Sequence, residues 1–351
     1  MLHVDLDQFI AAVEVLRHPE LAGKPLIVGG RGDPSERAVV STASYEARAF
    51  GVGSGMPLRI AARKVPDAVI LPVDAEAYLA ASHEVMATLR EQPGATVQVL
   101  GWDEAFLGID TDDPEGYANQ VQRAVLENTR LHCSVGIGDT LVRAKVATGF
   151  GKPRGVFRLT ADNWLDVMGN RPTIDLWGVG PKVSRRLSGH GITTVDELAS
   201  ADADTLVDEF GPRMGPWYRQ LARGEGVRVV DDTPWVARGH SRETTYQRDL
   251  TTSAEVEAAV RDLVDRVLQD VEAEARPVVG VTLKVRYVPF ITKIFTKKIP
   301  ETADREVVLE RTLELVGRVE ENRPVRLLGF RAEMTMPDDA RNGHTPTRSG
   351  W

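Results

Sequence analysis

Leu2-His3-Val4-Asp5-Leu6-Asp7-Gln8-Phe9-Ile10 is the stretch on which the reading of this chain turns. Its first half is a run of apolar and β-branched residues that predicts a buried strand, and the run ends on two acids. Further along, Trp102-Asp103-Glu104-Ala105-Phe106 repeats the arrangement. Residues 97–100 and 106–109 are predicted as two strands, with Asp103 and Glu104 at or near the turn between them. A carboxylate on a central sheet is costly to bury unless it is paired or bound to metal. Two strand-end acid groups facing each other would suit a pair of divalent cations, which prefer oxygen ligands and serve phosphoryl transfer. Taken alone, each acid reads more simply as a helix cap or a turn residue.

The bulk properties narrow the class. A chain of 351 residues, 42% of them hydrophobic, is long enough for two or more packed units. One cysteine, Cys133 in an apolar strand-like run, excludes a disulfide framework and fits a reducing cytoplasm. No basic, apolar leader precedes the first strand, and no apolar run approaches the roughly 20 residues of a membrane helix, so a cytoplasmic protein is expected. The net charge of −8 argues mildly against nucleic acid as a partner. Its distribution argues the other way: residues 281–298 hold Lys284, Arg286, Lys293, Lys297 and Lys298 and no acid.

Read in order, the first strand leads to a helix over 11–17 that gives way at Pro19. Residues 26–28 and 39–42 are predicted strands joined by the Gly- and Asp-rich turn 29–34. Ser44 is placed to cap a helix over 45–50, and Pro57 to start another reaching Lys64. A helix over 75–90, the acidic hairpin, a helix over 114–130, a strand over 133–137 and a short helix over 140–148 follow. Leu176-Trp177-Gly178-Val179-Gly180-Pro181, a helix, and Gly191-Ile192-Thr193-Thr194 read either as a helix-hairpin-helix or as an ordinary connection punctuated by glycine. In a helix-hairpin-helix, Gly178 and Gly180 let backbone N–H groups approach a DNA phosphate. A polar linker over 230–237 precedes strand, helix 254–275, strand 279–287, strand 291–298, helix 306–319 and strand 325–334, a separate four-stranded α+β domain. Residues 281–287 alternate with period two, which puts Lys284 and Arg286 on one face. That face is either merely solvated or a track for a nucleic-acid backbone.

Several of these segments carry a family likeness in the same order. The stretch from Asp5 to Glu14 resembles the first motif of the Y-family (translesion) DNA polymerases, and Trp102-Asp103-Glu104-Ala105-Phe106-Leu107 their second acidic motif. Val39-Val40-Ser41-Thr42-Ala43-Ser44-Tyr45-Glu46-Ala47-Arg48 is similar to their triphosphate-binding motif. The likeness runs to about Pro337 and is strongest to the DNA polymerase IV branch. It implies an α+β multidomain, right-hand fold: a ferredoxin-like palm (1–8 and 74–159) with helices on one face of its sheet, small fingers (9–73), a helix-hairpin-helix thumb (160–227), a linker (228–237) and a four-stranded α+β little finger (238–337). Residues 338–351 read as a disordered tail. The short apolar-aromatic clamp peptide with which polymerase IV proteins often end is not evident there, because Trp351 stands alone after Thr347-Arg348-Ser349-Gly350. Sliding-clamp recruitment is therefore in doubt.

The resemblance also implies roles. Asp5, Asp103 and Glu104, with the carbonyl of Leu6, would hold two Mg2+ ions, for which Mn2+ may be exchanged; Asp7 is left out of that set. Thr42, Tyr45, Arg48 and Lys152 would bind the triphosphate, and on a helix Tyr45 and Arg48 project from one face. Lys145, Gly178, Gly180 and the cations of 284–298 would meet primer-template DNA. Ser41, Gly53 and Gly55 would leave room around the nascent base pair. Beside Phe9, Ile10 departs from the aromatic side chain most relatives place under the incoming sugar. An aliphatic gate implies weak exclusion of ribonucleotides, so that dNTPs and rNTPs are both expected substrates. A monomer without proofreading is expected. Two other classes fit part of the pattern: a palm-fold nucleotidyl cyclase, which needs neither a helix-hairpin-helix nor a basic C-terminal domain, and a non-catalytic DNA-binding relative, which needs no intact acid and cation set.

Overall fold

A computed structural model describes residues 1–337. The chain divides into two units, residues 1–34 with 38–233 and residues 35–37 with those from 234 onward. The break at Thr233 falls inside the polar segment 228–237.

The first unit opens with β1 (Leu2–Leu6) and α1 (Phe9–Arg17), then β2 (Leu26–Val28), β3 (Thr42–Ala43), α2 (Tyr45–Arg48), α3 (Leu58–Lys64) and β4 (Val69–Leu71). Ser44 caps α2, its hydroxyl accepting from the Ala47 N–H. The predicted strand over 39–42 is shifted: only Thr42 and Ala43 pair with β2, while Val39 makes an isolated bridge to Pro57. The reason is a change of partner, since the Val40 N–H donates to Met56 O and the next one, Ser41, to Val28 O. With β4 added in parallel, these strands form a small sheet of order β3-β2-β4 over their own core of Ile27, Val40, Ala47, Leu58 and Ala61.

Then come α4 (Ala75–Arg90), β5 (Thr96–Val99), β6 (Glu104–Gly108), α5 (Pro114–Thr129), β7 (Cys133–Gly138), α6 (Leu141–Gly151) and β8 (Val156–Leu159). The five strands are ordered β5-β6-β1-β7-β8. Strands β1, β5, β6 and β7 run antiparallel in ferredoxin-like order, and β8 extends the sheet in parallel. In an antiparallel pair, residues directly opposite share a face. Leu2 lies opposite Leu107 and Ile137, and Val4 opposite Ala105 and Val135. This face is packed with Tyr78, Val85, Met86 and Leu89 of α4 and Ala118, Val121 and Val125 of α5. His3 lies opposite Phe106 and Gly136, and Asp5 opposite Glu104 and Ser134, on the other face.

Helices on one face alone were expected, and here the structure corrects the reading: α6 covers part of the second face. Ala144 packs on Phe106, and the Thr148 hydroxyl bonds His3. Gly136 permits the approach, because a Cβ there would lie 2.0 Å from the Ala144 carbonyl oxygen. The far side of α6 packs Val142 and Ala147 into a third cluster around Trp164, Leu187 and Leu221. Sandwiched this way, α6 lacks the polar stripe of a surface helix.

That third cluster belongs to α7 (Trp164–Met168), α8 (Pro181–Gly189), α9 (Val195–Ser200) and α10 (Ala203–Ala222), which breaks at Gly211 (φ 85°, ψ 167°) before Pro212. Thr194 and Glu197 form a reciprocal cap on α9.

The second unit contains β9 (Gly239–Leu250), α11 (Ser253–Glu274), β10 (Val278–Tyr287), β11 (Ile291–Thr302), α12 (Arg305–Val316) and β12 (Val325–Met334). Its antiparallel sheet has the order β11-β10-β12-β9, with Val281, Leu283, Val285 and Tyr287 buried among Val260, Leu263, Val267 of α11 and Leu309, Leu315 of α12. Among the described residues no helix is long and apolar enough to cross a membrane.

Candidate active site

The acids meet on the second face of the ferredoxin-like sheet, at the rim that α6 leaves open. Asp5 of β1 and Glu104 of β6 are register partners, and Asp103 occupies the turn just before β6. The Leu6 N–H donates to the Asp103 carbonyl at 2.9 Å, which ties the turn to the end of β1. Two lysines from α6 and its C-terminal end come in beside them: Lys145 Nζ contacts Glu104, and Lys152 Nζ contacts Asp5. The buried His3 ring bridges Thr148 Oγ1 at 2.8 Å and Glu104 Oε2 at 3.3 Å.

The electrostatics set the two turn acids apart. Burial and the neighbouring charges of Asp5 and Glu104 push Asp103 up to about 6. Burial works the same way on Glu104, but the His3 hydrogen bond and the Lys145 ammonium outweigh it and hold Glu104 at about 2. Asp103 thus carries the strain of three carboxylates at one rim. Among the described residues, no three imidazole, thiol or carboxyl groups are gathered as they stand around a point that would hold a metal ion. The donor chemistry nonetheless fits a hard divalent cation, since it is all oxygen and the charges of Asp5 and Glu104, added to burial, raise Asp103.

Next to the acids lies an open cleft lined by Asp5, Leu6, Gln8, Phe9, Ile10, Ser41, Thr42, Arg48, Ser54, Asp103 and Lys152. Residues chosen from four separate parts of the sequence therefore share one hollow. Phe9 is buried and Ile10 half-buried at the start of α1. Thr42 begins the short β3, and Arg48 closes α2, where its Nε donates to Ala43 O at 2.8 Å and its guanidinium stands 5.2 Å from the Tyr45 ring centre. Tyr45 does not line the cleft; its hydroxyl donates to Asp7 Oδ1 at 2.8 Å. Burial and that carboxylate push the phenol well above its usual range, so it remains a donor. Gly55 (φ +81°) is exposed and does not line the cleft, whereas the neighbouring Ser54 does. Gln8 and Ser54 carried no signal in the sequence, because single polar residues in loops are unremarkable.

The remaining predicted contacts are distributed differently. Lys145 is part of the acid cluster, with its Nζ 5.4 Å from the Trp177 ring centre. Gly180 caps α8, and Gly178 (φ +94°) passes so close to Trp217 that a Cβ would lie 2.8 Å from its ring. In the second unit the expectation of one acid-free basic face is corrected. Lys284 and Arg286 lie opposite Ile294 and Thr292, whereas Lys293 and Lys297 lie opposite the buried Val285 and Val281. The two pairs are therefore on opposite faces of the sheet. Acids distant in sequence come to most of them: Glu243 contacts Lys284 at 2.7 Å, and Glu320 and Glu314 reach Lys293 and Lys297. Lys298, opposite Gly280, and Arg331, opposite Thr282, share the face of Lys284 and Arg286. Arg331 was missed because it sits on β12, outside the basic run.

Comparison with known proteins identifies the arrangement. Residues 4–149 match the model of the impB/mucB/samB family and residues 237–344 that family's C-terminal domain, while residues 173–213 match a SAM-like helix-hairpin-helix tandem. The chain is 49% identical to DNA polymerase IV 2 of Mycobacterium tuberculosis (strain ATCC 25618 / H37Rv) over 95% of its own length and 97% of the relative's. It is 37% identical to DNA polymerase IV of Methanoculleus marisnigri, covering 95% and 94% of the two chains. Among solved structures, a Y-family polymerase chimera of Dbh and Dpo4 superposes with a TM-score of 0.84 at 23% identity over 96% of this chain and 99% of that one. DinB from Sulfolobus solfataricus superposes at 0.62, with 23% identity over the same shares of the two chains. The chain belongs to the impB/mucB/samB family of Y-family, translesion-type polymerases and is a DNA-directed DNA polymerase.

Proposed function

We propose that this polymerase adds nucleotides to a primer 3′-hydroxyl at the Asp5–Asp103–Glu104 rim, and that it discriminates weakly between deoxyribose and ribose. Asp5, Asp103, Glu104 and the Leu6 carbonyl would hold two magnesium ions, with manganese able to substitute. Bound there, the ions would favour ionisation of the primer hydroxyl and neutralise the departing pyrophosphate. Arg48, Lys152 and the Thr42 hydroxyl donate to the triphosphate, with Tyr45 set against the Arg48 guanidinium. Lys145 supplies positive charge beside the primer end. Backbone N–H groups at Gly178 and Gly180, and the sheet face of Lys284, Arg286 and Lys298, would follow the DNA backbone without reading sequence. We take the enzyme to act as a cytoplasmic monomer, on primer-template DNA with dNTPs and rNTPs. The C-terminal tail, on which the doubt about a sliding clamp rests, lies outside the described residues.

The single observation that carries the sugar reading is that Ile10 lines the same cleft as Asp5, Asp103, Arg48 and Lys152. An aliphatic side chain shares the cleft with the acids and the triphosphate donors, without the flat ring edge that would press on a 2′-hydroxyl. One such clash is worth a few kcal/mol, or about a hundredfold in kcat/KM. The test is single-nucleotide primer extension with magnesium or manganese, comparing matched dNTP and rNTP for wild type and Ile10→Phe. Wild type should use both and the variant reject the ribonucleotide selectively. A wild type that already rejects ribonucleotides refutes the account of Ile10, while extension by neither sugar points to a non-catalytic relative. Activity without any primer-template would point to a nucleotidyl cyclase.

A further inference from the structure

Asp7 follows the acid strand, yet it does not line the cleft and is only 4% exposed. Its carboxylate accepts from three elements. Oδ1 takes the Tyr45 hydroxyl at 2.8 Å and the Ser134 hydroxyl of β7 at 2.9 Å; Oδ2 takes the Arg154 N–H at 2.8 Å. The neighbouring Gln8 side chain accepts from the Tyr45 N–H at 2.6 Å, so α2 is gripped at both its backbone and its phenol. The loop 152–155 is held from its other side by Gln122, whose amide donates to Arg154 O at 3.1 Å and Gly155 O at 3.2 Å. A buried carboxylate is expensive, and a neutral side chain would satisfy any one of these donors. Only an acceptor with two oxygens and several lone pairs satisfies all three at once.

We propose that Asp7 is a positioning residue for the incoming nucleotide, fixing the distance between its two cationic holders. Tyr45 carries Arg48 one turn later on α2, and Arg154 is two residues from Lys152. One carboxylate thereby sets the separation of Arg48 and Lys152, which come from distant parts of the chain and face the same cleft. Asp7 touches no reacting atom; it acts through the residues it holds. The inference rests on the reading that Arg48 and Lys152 receive the triphosphate, and the controls below test that reading separately.

The experiment uses the full chain and Asp7→Asn, which keeps the shape but cannot present acceptors to all three donors. Single-nucleotide insertion is measured against dNTP concentration, primer-template affinity by anisotropy, and amide hydrogen exchange over 41–48 and 152–155. KM for dNTP should rise about tenfold with kcat within threefold and DNA affinity unchanged, the split expected of lost ground-state positioning. Exchange should quicken in both segments, whereas Tyr45→Phe should quicken it in 41–48 alone. Unchanged exchange in 152–155 overturns the link. So does a KM that stays or falls while Arg48→Ala and Lys152→Ala raise it; a fall would mean that Asp7 competes with phosphate for the phenol proton. A collapse of kcat with unchanged KM and a steeper magnesium requirement places Asp7 at the reacting centre and also overturns it. If Arg48→Ala and Lys152→Ala leave KM unchanged, the triphosphate reading has failed, and exchange alone then judges the tether. Should Asp7→Asn not fold, Tyr45→Phe decides: an unchanged KM with unchanged exchange over 41–48 refutes the proposal.

Discussion

The acid rim of the first unit and the basic strand pair of the second pose one question: do charges on neighbouring strands act together? On β1 and β6 they do. Asp5 and Glu104 are register partners, so the antiparallel pairing itself brings two distant carboxylates to one face. On β10 and β11 they do not. Lys284 and Arg286 face one way and Lys293 and Lys297 the other, because each of the latter pairs with a core residue of β10. Alternation within a strand says which residues share a face of that strand, and only register says which residues of two strands do. The partners reinforce the contrast. At the rim, burial and the charges of Asp5 and Glu104 keep Asp103 raised to about 6 despite the nearby Lys152, whereas on the sheet of the second unit Glu243, Glu314 and Glu320 answer Lys284, Lys297 and Lys293.

If the rim is a working site, its removal should have the largest effect. Asp103→Ala or Glu104→Ala should lower single-turnover incorporation by about a thousandfold or more, with primer-template Kd within about threefold of wild type. Substantial synthesis by Asp103→Ala would dissolve the first half of the contrast. Next in size, Arg48→Ala should raise the apparent KM for dNTP by about 10–100-fold, the worth of one charge-assisted contact to phosphate, and hardly alter DNA affinity.

The divided basic surface makes a smaller and sharper prediction. Lys284→Glu and Arg286→Glu should each weaken primer-template binding about tenfold and flatten its salt dependence, whereas Lys293→Glu and Lys297→Glu should change it less than about twofold. Equal losses from all four would mean that the strand pair acts as one surface after all. The smallest effect concerns Asp103 without metal. Its folded-state value lies above that of an ordinary carboxylate, so its contribution to stability is full at low pH and fades as pH rises through about 6. Asp103→Asn should therefore stabilise the metal-free protein at pH 8 by about 1–2 kcal/mol, a few degrees in Tm, and leave it unchanged near pH 4. Magnesium should supply much of the same gain to the wild type at pH 8, and lack of any such response would argue that the rim does not take the ion.

What was legible from the chain alone was local. The run before Asp5, the hairpin around Asp103 and Glu104, the cap at Ser44, and the period-two pattern of residues 281–287 were enough for most of the strands and helices and for the motif likeness. They were legible because burial period and cap chemistry act over a few residues. Strands β4 and β8 escaped notice, being three and four residues long and without alternation of their own. Other facts belong to the tertiary structure because they depend on which strand lies beside which: the second face that α6 covers, the division of the basic residues, Arg331 joining Lys284 and Arg286, and Asp7 reaching Tyr45 and Arg154. Their physical cause is contact between elements, through the hydrogen-bond register of the sheets, the packing of α6 on one of them and the side-chain hydrogen bonds of Asp7, which no local pattern encodes.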